Sequence, residues 1–242
     1  LVSFFLLLLS MKVKSEYAFI GAIAFAFSTY LIIILGVGHN TKALAIGYAP
    51  LVIAGLFKIL DKKYLAGFII GALGLGLQIN ANHYQMTYYF LMLVGLITII
   101  NVFDDFFKKK IKDGLNKIGV VFATTLFSIF LNATAILATQ EYSDFSTRGN
   151  SEISINPDGS EKDDLSGLSN EYITEYSYGK LESFNLIVPR FMGGGSSELI
   201  DKDSDFVKEL KNYDNESANI IYQNARLYWG NQPIVAAPAY IG

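Results

Sequence analysis

Apolar runs separated by short polar turns fill the first 139 residues of this 242-residue chain, and they constrain its fold more than any other feature. A membrane-spanning helix needs about 20 consecutive, mostly apolar residues. Five runs approach or reach that length, and a shorter one opens the chain. We therefore predict a mainly α, polytopic transmembrane helical bundle with five full spans and one partial N-terminal span. The predicted spans are residues 1–10 (partial), 16–35, 43–60, 64–79, 86–103 and 118–139.

Residues 140–242 differ sharply from this transmembrane region, because they hold 17 acidic and 8 basic residues, whereas residues 1–139 hold 5 acidic and 11 basic ones. Apolar residues at helical spacing predict short helices over 205–212 and 217–228 in an otherwise loop-rich segment. Since apolarity resumes at the end of the sequence, we expect this segment to lead into a further span. We also expect the sequence to be an internal fragment of a longer protein.

Lysines are distributed unevenly among the connections, and this predicts the orientation in the membrane. Ten lysines lie in alternate connections, whereas the intervening turns hold only Lys42. Lysine-rich loops stay in the cytoplasm. We therefore predict a multi-pass membrane protein, with the turns around His39 and His83 and the segment 140–242 outside the cytoplasm. The ten lysines are Lys12, Lys14, Lys58, Lys62, Lys63, Lys108, Lys109, Lys110, Lys112 and Lys117.

The two polar turns on the predicted outer side contain both histidines of the chain and suggest a binding site. Their hydrogen-bonding side chains suit hydroxyls and phosphates, and Lys42 and the imidazoles can neutralise a phosphate. Either histidine can also transfer a proton near neutral pH. The predicted substrate-binding residues are His39, Asn40, Lys42, Asn80, Asn82, His83, Gln85, Tyr88 and Arg148. The alternative stays open that surface turns are simply polar, and that Arg148 only caps the exit of the chain from the membrane.

Other classes of site find little support in the sequence. The chain has no cysteine, which excludes disulfide frameworks and thiolate metal sites. The two histidines lack a third metal ligand at a defined spacing, and the run 201–205 departs from a calcium loop at its sixth and twelfth positions. We predict no metal and no cofactor, and the acidic tail argues against nucleic acid. The catalytic group stays unknown, with Glu141 and Asp144 as the nearest candidates for a base.

Several motifs resemble the YfhO family of bacterial membrane proteins. They are GHNTKA (38–43) and QINANHYQMTYY (78–89) in the outer turns, and STRG (146–149), EYSYGKLESFNLIVPRFMGG (175–194) and YWGNQP (228–233) in the tail. The resemblance implies a multi-pass protein of the plasma (inner) membrane that is similar to the C-type (GT-C) glycosyltransferases. Those enzymes transfer a sugar from a polyprenyl-phosphate donor to an acceptor on the outer membrane face. The implied partners are membrane lipid, such a donor and a cell-envelope acceptor. The resemblance also implies that the catalytic acid lies upstream of this sequence.

Two other functions remain open. A transporter or lipid flippase would place ionisable groups or broken helices near the middle of the bilayer, whereas the centres of these runs are apolar. A non-catalytic membrane assembly factor would tolerate alanine at the polar turns. The apolar centres favour the glycosyltransferase over the transporter.

Overall fold

A computed structural model of the chain describes residues 1–146, 160 and 170–233. The chain divides into two compact units, Leu1–Gly149 and Asn150–Gly242. The described residues form α-helices and one 3-10 helix but no strand, which confirms the mainly α fold. In the first unit the helices are α1 (Val2–Ser10), α2 (Ser15–Ala26), α3 (Thr29–Gly36), α4 (Asn40–Leu60), α5 (Tyr64–Asn80), α6 (Tyr84–Phe107), α7 (Ile111–Leu131) and α8 (Ala133–Ser143).

Four segments of the first unit are long and apolar enough to cross a membrane, which confirms its membrane-spanning character. They are Ser15–Gly36, Asn40–Leu60, Tyr84–Phe107 and Ile111–Leu131. Helix α5 is also apolar but has only 17 residues, so it covers about 26 Å of a hydrocarbon core about 30 Å thick. The total of five full spans therefore stays a prediction.

Helix breaks fall within two of the predicted spans, although Ser15–Gly36 still counts as one candidate span by length and apolarity. The span predicted at 16–35 is split between α2 and α3, because the backbone is extended at Ser28 (φ −58°, ψ 141°). The span predicted at 118–139 begins earlier, at Ile111, and α7 ends at Leu131. At the break, the amide of Asn132 donates to the carbonyl of Gly76 on α5, at 3.1 Å. Side chains of this kind compete with helical hydrogen bonding.

Helices α4 and α5 cross with their backbones in contact, because glycines lie on both sides of the crossing. A Cβ atom added at Gly55 would overlap the backbone of Gly71, and one added at Gly74 would lie 2.8 Å from the backbone nitrogen of Val52. Small residues allow such close approach between helices in lipid. The i, i+4 spacing of Gly67 and Gly71, followed by Gly74, is a sequence pattern that favours close helix packing, and in the structure Gly67 and Gly74 contact α4 while Gly71 lies between α4 and Thr124 of α7.

The helices of the first unit bury small, polar and selected apolar groups, while many large apolar side chains face outward. Ser128 on α7 donates to the carbonyl of Ala72 on α5, at 3.3 Å, and Val94 of α6 is buried in the core. By contrast, Leu65 and Phe130 are 74% and 76% exposed. An apolar surface of this extent is expected where lipid rather than water surrounds a helix.

The second unit contains short helices and turns. Its elements are α9 (Asn170–Thr174), the 3-10 helix Glu182–Leu186, α10 (Asp205–Tyr213) and α11 (Asn215–Asn224). Helix α10 is close to its predicted range, and the hydroxyl of Ser204 caps it by accepting from the Val207 backbone at 3.3 Å. Helix α11 ends four residues before the predicted end at 228, because Arg226 and Tyr228 form β-bridges with Leu199 and Gly193 instead.

Candidate functional site

The turns of the first unit lie at two opposite ends of its helices. The lysine end comprises the turns 11–14, 61–63 and 108–110, and the histidine end comprises the turns 37–39 and 81–83. Helix α4 has 21 residues, so it separates the two ends by about 31 Å. Since α5 runs antiparallel to α4, the turns before α4 and after α5 lie at the same end.

Ion pairs connect separate elements at the lysine end. They link the α1–α2 turn to the α4–α5 turn, that turn to α7, and α6 to α7. The pairs are Lys12–Asp61 (3.5 Å), Lys62–Asp113 (2.5 Å) and Lys117–Asp105 (2.5 Å). The hydrogen bond to the Asp113 carboxylate raises the pKa of Lys62 above its ordinary value. These pairs hold the helices together at one end of the bundle.

One of these pairs is buried, unlike the others. The side chains of Lys117 and Asp105 are only 7% and 9% exposed, whereas those of Lys12 and Asp61 are 79% and 38% exposed. A buried charge is tolerated only when a partner neutralises it. The Lys117–Asp105 pair is therefore a structural contact between α6 and α7.

The α3–α4 turn at the histidine end carries an unpaired cation. His39 and Asn40 are exposed at the start of α4, and Lys42 is half-buried, with its ammonium 5.4 Å from the centre of the Tyr30 ring. Lys42 forms no ion pair within residues 1–146, and the sequence has no acidic residue between 16 and 61. This turn is therefore suited to an anion.

The α5–α6 turn presents the second group of predicted residues. Asn82 adopts a left-handed backbone (φ 58°), which asparagine tolerates better than most residues. His83 caps α6, since its Nδ1 accepts a hydrogen bond of 3.4 Å from the Met86 backbone. Asn80, Gln85 and Tyr88 are exposed. Within residues 1–146 no hydrogen bond or ion pair joins this turn to the α3–α4 turn, and Arg148 lies outside the described residues.

An apolar groove of about 520 Å³ lies between α1, α4 and α5. Its lining on α4 runs from Ala43 to Leu51, so the groove occupies the half of the bundle nearest the histidine end and begins directly after Lys42. In the groove, the Ser3 hydroxyl donates to the carbonyl of Gly47 at 2.5 Å. Pro50, three residues further along α4, has no backbone N–H and therefore cannot donate a helical hydrogen bond. The sequence did not reveal this groove, because it depends on how α1 packs against α4.

The end of α8 lies beside the start of α6. The Tyr84 and Thr139 hydroxyls are 3.5 Å apart, so α8 ends at the histidine end. Glu141 follows Thr139 by two residues and is exposed, as is Asp144. The structure therefore puts the two predicted base candidates at the same end as the polar turns. Within the described parts of the chain, no three His, Asp or Glu side chains are grouped as metal ligands.

A buried carboxylate in the second unit escaped the sequence analysis. Glu182 is 1% exposed. One of its oxygens accepts from the Tyr228 hydroxyl and from the Asn231 backbone at 3.0 Å, and the other accepts from the Gly179 backbone. Glu182 thus joins two segments about 50 residues apart. Gly179 is near it in the sequence, but Tyr228 and Asn231 follow so much later that no local pattern points to this contact.

Comparisons with known proteins leave the chain without a relative. No protein-family model matches it, no curated protein matches its sequence, and no solved structure matches its fold.

Proposed function

We propose that this membrane protein is a glycosyltransferase that moves a sugar from a polyprenyl-phosphate donor to an acceptor at the histidine end of its helices. The groove between α1, α4 and α5 carries the proposal. A polyprenyl phosphate combines a long apolar chain with an anionic head. The groove offers an apolar surface within the membrane, and Lys42 directly precedes its first residue on α4, Ala43, with its ammonium over the Tyr30 ring of α3.

The residues at this end match the chemical needs of sugar transfer. As the bond between the sugar and the phosphate breaks, negative charge grows on the phosphate, and the Lys42 ammonium stabilises it. The acceptor hydroxyl forms the new bond to the sugar and gives its proton to a carboxylate base. Glu141 is the candidate for that base at the histidine end. His39 and His83 supply hydrogen bonds to the sugar or the phosphate.

A lipid flippase or transporter is the second candidate, and the interrupted helices favour it. The break at Ser28 and the proline at position 50 fall inside apolar segments, as discontinuous helices do in transporters. The groove argues against a path across the bilayer, however. Its lining on α4 stops at Leu51, well before Lys58 and the lysine end.

Transfer of a labelled sugar from a polyprenyl-phosphate donor, measured in membranes that contain the full-length protein, tests the proposal. Lys42→Ala should lower the transfer rate about 10²-fold, as expected for the loss of one charge-stabilising group. Lys14→Ala, which removes an exposed lysine from the lysine end, should leave the rate unchanged.

A second pair of variants tests the groove itself. A Cβ atom at Gly47, or at Gly95 on α6, meets no atom within 4 Å, so neither backbone position excludes a side chain. Gly47→Leu fills the groove and should abolish transfer, whereas Gly95→Leu should retain it. Full transfer by both Lys42→Ala and Gly47→Leu would overturn the proposal in favour of an assembly factor. Lipid movement across proteoliposomes without sugar transfer would favour the flippase.

A further inference from the structure

The segment 181–191 of the second unit has an inverted polarity. Its polar residues Glu182 and Asn185 are each 1% exposed, while five of its apolar residues are 46–73% exposed and Leu186 is half-buried. In a water-soluble fold the reverse is usual, and an exposed apolar patch commonly marks an interaction site. The exposed apolar residues, which we call the apolar ridge, are Leu181, Phe184, Ile187, Val188 and Phe191.

The buried side chains of Glu182 and Asn185 hold the ridge in place through hydrogen bonds. Glu182 accepts hydrogen bonds from the segment 228–231. The side-chain oxygen of Asn185 accepts a hydrogen bond of 3.0 Å from the Met192 backbone N–H. This bond closes the turn that ends the segment. The inversion is therefore held by specific hydrogen bonds.

The ridge residues begin at the start of the 3-10 helix Glu182–Leu186 and continue into the turn that follows it. That turn brings two of them together, because the ring centres of Phe184 and Phe191 are 5.4 Å apart. The two rings thus form one apolar surface at the centre of the ridge.

We propose that the apolar ridge docks into the interface of the lipid bilayer. The same chain contains the membrane-spanning helices, and Leu181 follows Ser146 by only 35 residues. Such a tether keeps the ridge at a high effective concentration near the bilayer. Two phenyl rings and branched aliphatic groups match the boundary of headgroups and acyl chains. They offer no hydrogen bonds for recognising a carbohydrate.

One cation beside the ridge is available to an anionic bilayer. Residues 180–191 contain Lys180, Arg190 and one acid, the buried Glu182. Arg190 bridges to Glu198 at 2.8 Å, so the segment is locally neutral within an acidic unit. Lys180 is exposed and forms no ion pair in the described parts of the chain, and a cation beside an apolar face strengthens binding to anionic lipids.

Site-directed labelling of the full chain in nanodiscs tests the proposal, and the absence of cysteine allows one label at a time. An environment-sensitive dye at Ile187→Cys should shift to the blue and be quenched by spin-labelled lipids. The matched control is Lys208→Cys on α10, an exposed residue of the same unit, whose dye should stay in water.

Two further variants connect the signal to the ridge. Phe184→Ser with Phe191→Ser, in the Ile187→Cys background, should lower the quenching by lipid about twofold or more, since apolar area drives interfacial binding. Lys180→Glu should lower it in nanodiscs that contain phosphatidylglycerol but not in those of phosphatidylcholine alone. A dye at Ile187 that is quenched from water in both kinds of nanodisc would overturn the proposal. Shielding that requires an added cell-envelope polysaccharide would overturn it as well.

Discussion

The two ends of the helical unit are built on different principles. At the lysine end, ion pairs connect α1, α4, α5, α6 and α7 through their turns and first residues. At the histidine end, within residues 1–146, no ion pair is present, and most of the polar turn residues are exposed. Charged side chains at the lysine end connect helices to one another. At the histidine end, a cation and several hydrogen-bonding side chains are exposed or half-buried and form no ion pair in the described part of the chain. Ion pairs between helices thus lie at one end of the bundle, and the proposed ligand site lies at the other.

Among the contacts at the two ends, the buried Lys117–Asp105 pair should contribute most to the free energy of unfolding. Lys117→Ala leaves the Asp105 carboxylate buried without a partner, and we expect the free energy of unfolding to fall by about 3–5 kcal/mol. Equilibrium unfolding of the protein in mixed micelles with increasing denaturing detergent measures it. The double variant Asp105→Leu with Lys117→Leu should recover most of the loss, because no charge then remains buried. A loss of similar size in both variants would contradict a role for charge.

A smaller effect is expected from the hydrogen bonds closer to the histidine end. Asn132→Ala removes the bonds from the side-chain amide to the carbonyls of Gly76 and Ser128. Hydrogen bonds between membrane helices contribute about 1–2 kcal/mol or less, so unfolding in the same mixed micelles should become easier by that amount. If Asn132→Ala lowered the free energy of unfolding as much as Lys117→Ala does, the buried ion pair would not be the stronger contact, contrary to this prediction.

The exposed pairs at the lysine end should contribute least. Lys12→Ala removes the bridge to Asp61, and we expect the free energy of unfolding to change by less than about 1 kcal/mol. The Lys12 side chain is 79% exposed, so water already solvates its charge. High salt should abolish even this difference, while it should leave the effect of Lys117→Ala largely intact. Equal sensitivity to salt would show that burial does not distinguish the two pairs.

A pH titration sharpens the comparison at a single residue. The raised pKa of Lys62 means that its contribution to stability is complete below the ordinary value of 10.5 and is lost as the pH rises through the value in the folded protein. Amide hydrogen exchange at the turn 61–63, normalised for the intrinsic effect of pH, should accelerate at high pH. In Lys62→Gln this acceleration should be absent. An unchanged pH profile in Lys62→Gln would show that another group controls the turn.

The sequence predicts the parts of this fold that depend on composition over many residues. Long apolar runs predict the helices, and the glycines near Gly71 predict the close crossing, because both effects act within a helix or its immediate neighbour. The breaks at Ser28 and Asn132 could not be predicted, since one polar residue barely changes the apolarity of a run. Whether it bends the chain depends on partners such as the Gly76 carbonyl.

The candidate site was predictable to a similar extent. The alternation of lysine-rich and lysine-poor turns separates the histidine turns from the lysine end, and the structure shows them at opposite ends of α4. The groove beside Lys42 arises from α1 packing against α4, and the role of Glu182 arises from a segment far along the chain. Contacts of that range are set by tertiary packing, which no local pattern encodes.

The glycine crossing of α4 and α5 has a mechanical consequence. Because two backbones touch there with no side chain between them, the helices have no room to slide or rotate against one another. In contrast, α3 buries only Ile34, and α8 buries none of its residues. In any conformational change of this unit, α4 and α5 should therefore move together as one rigid pair, while the outer helices change position relative to them.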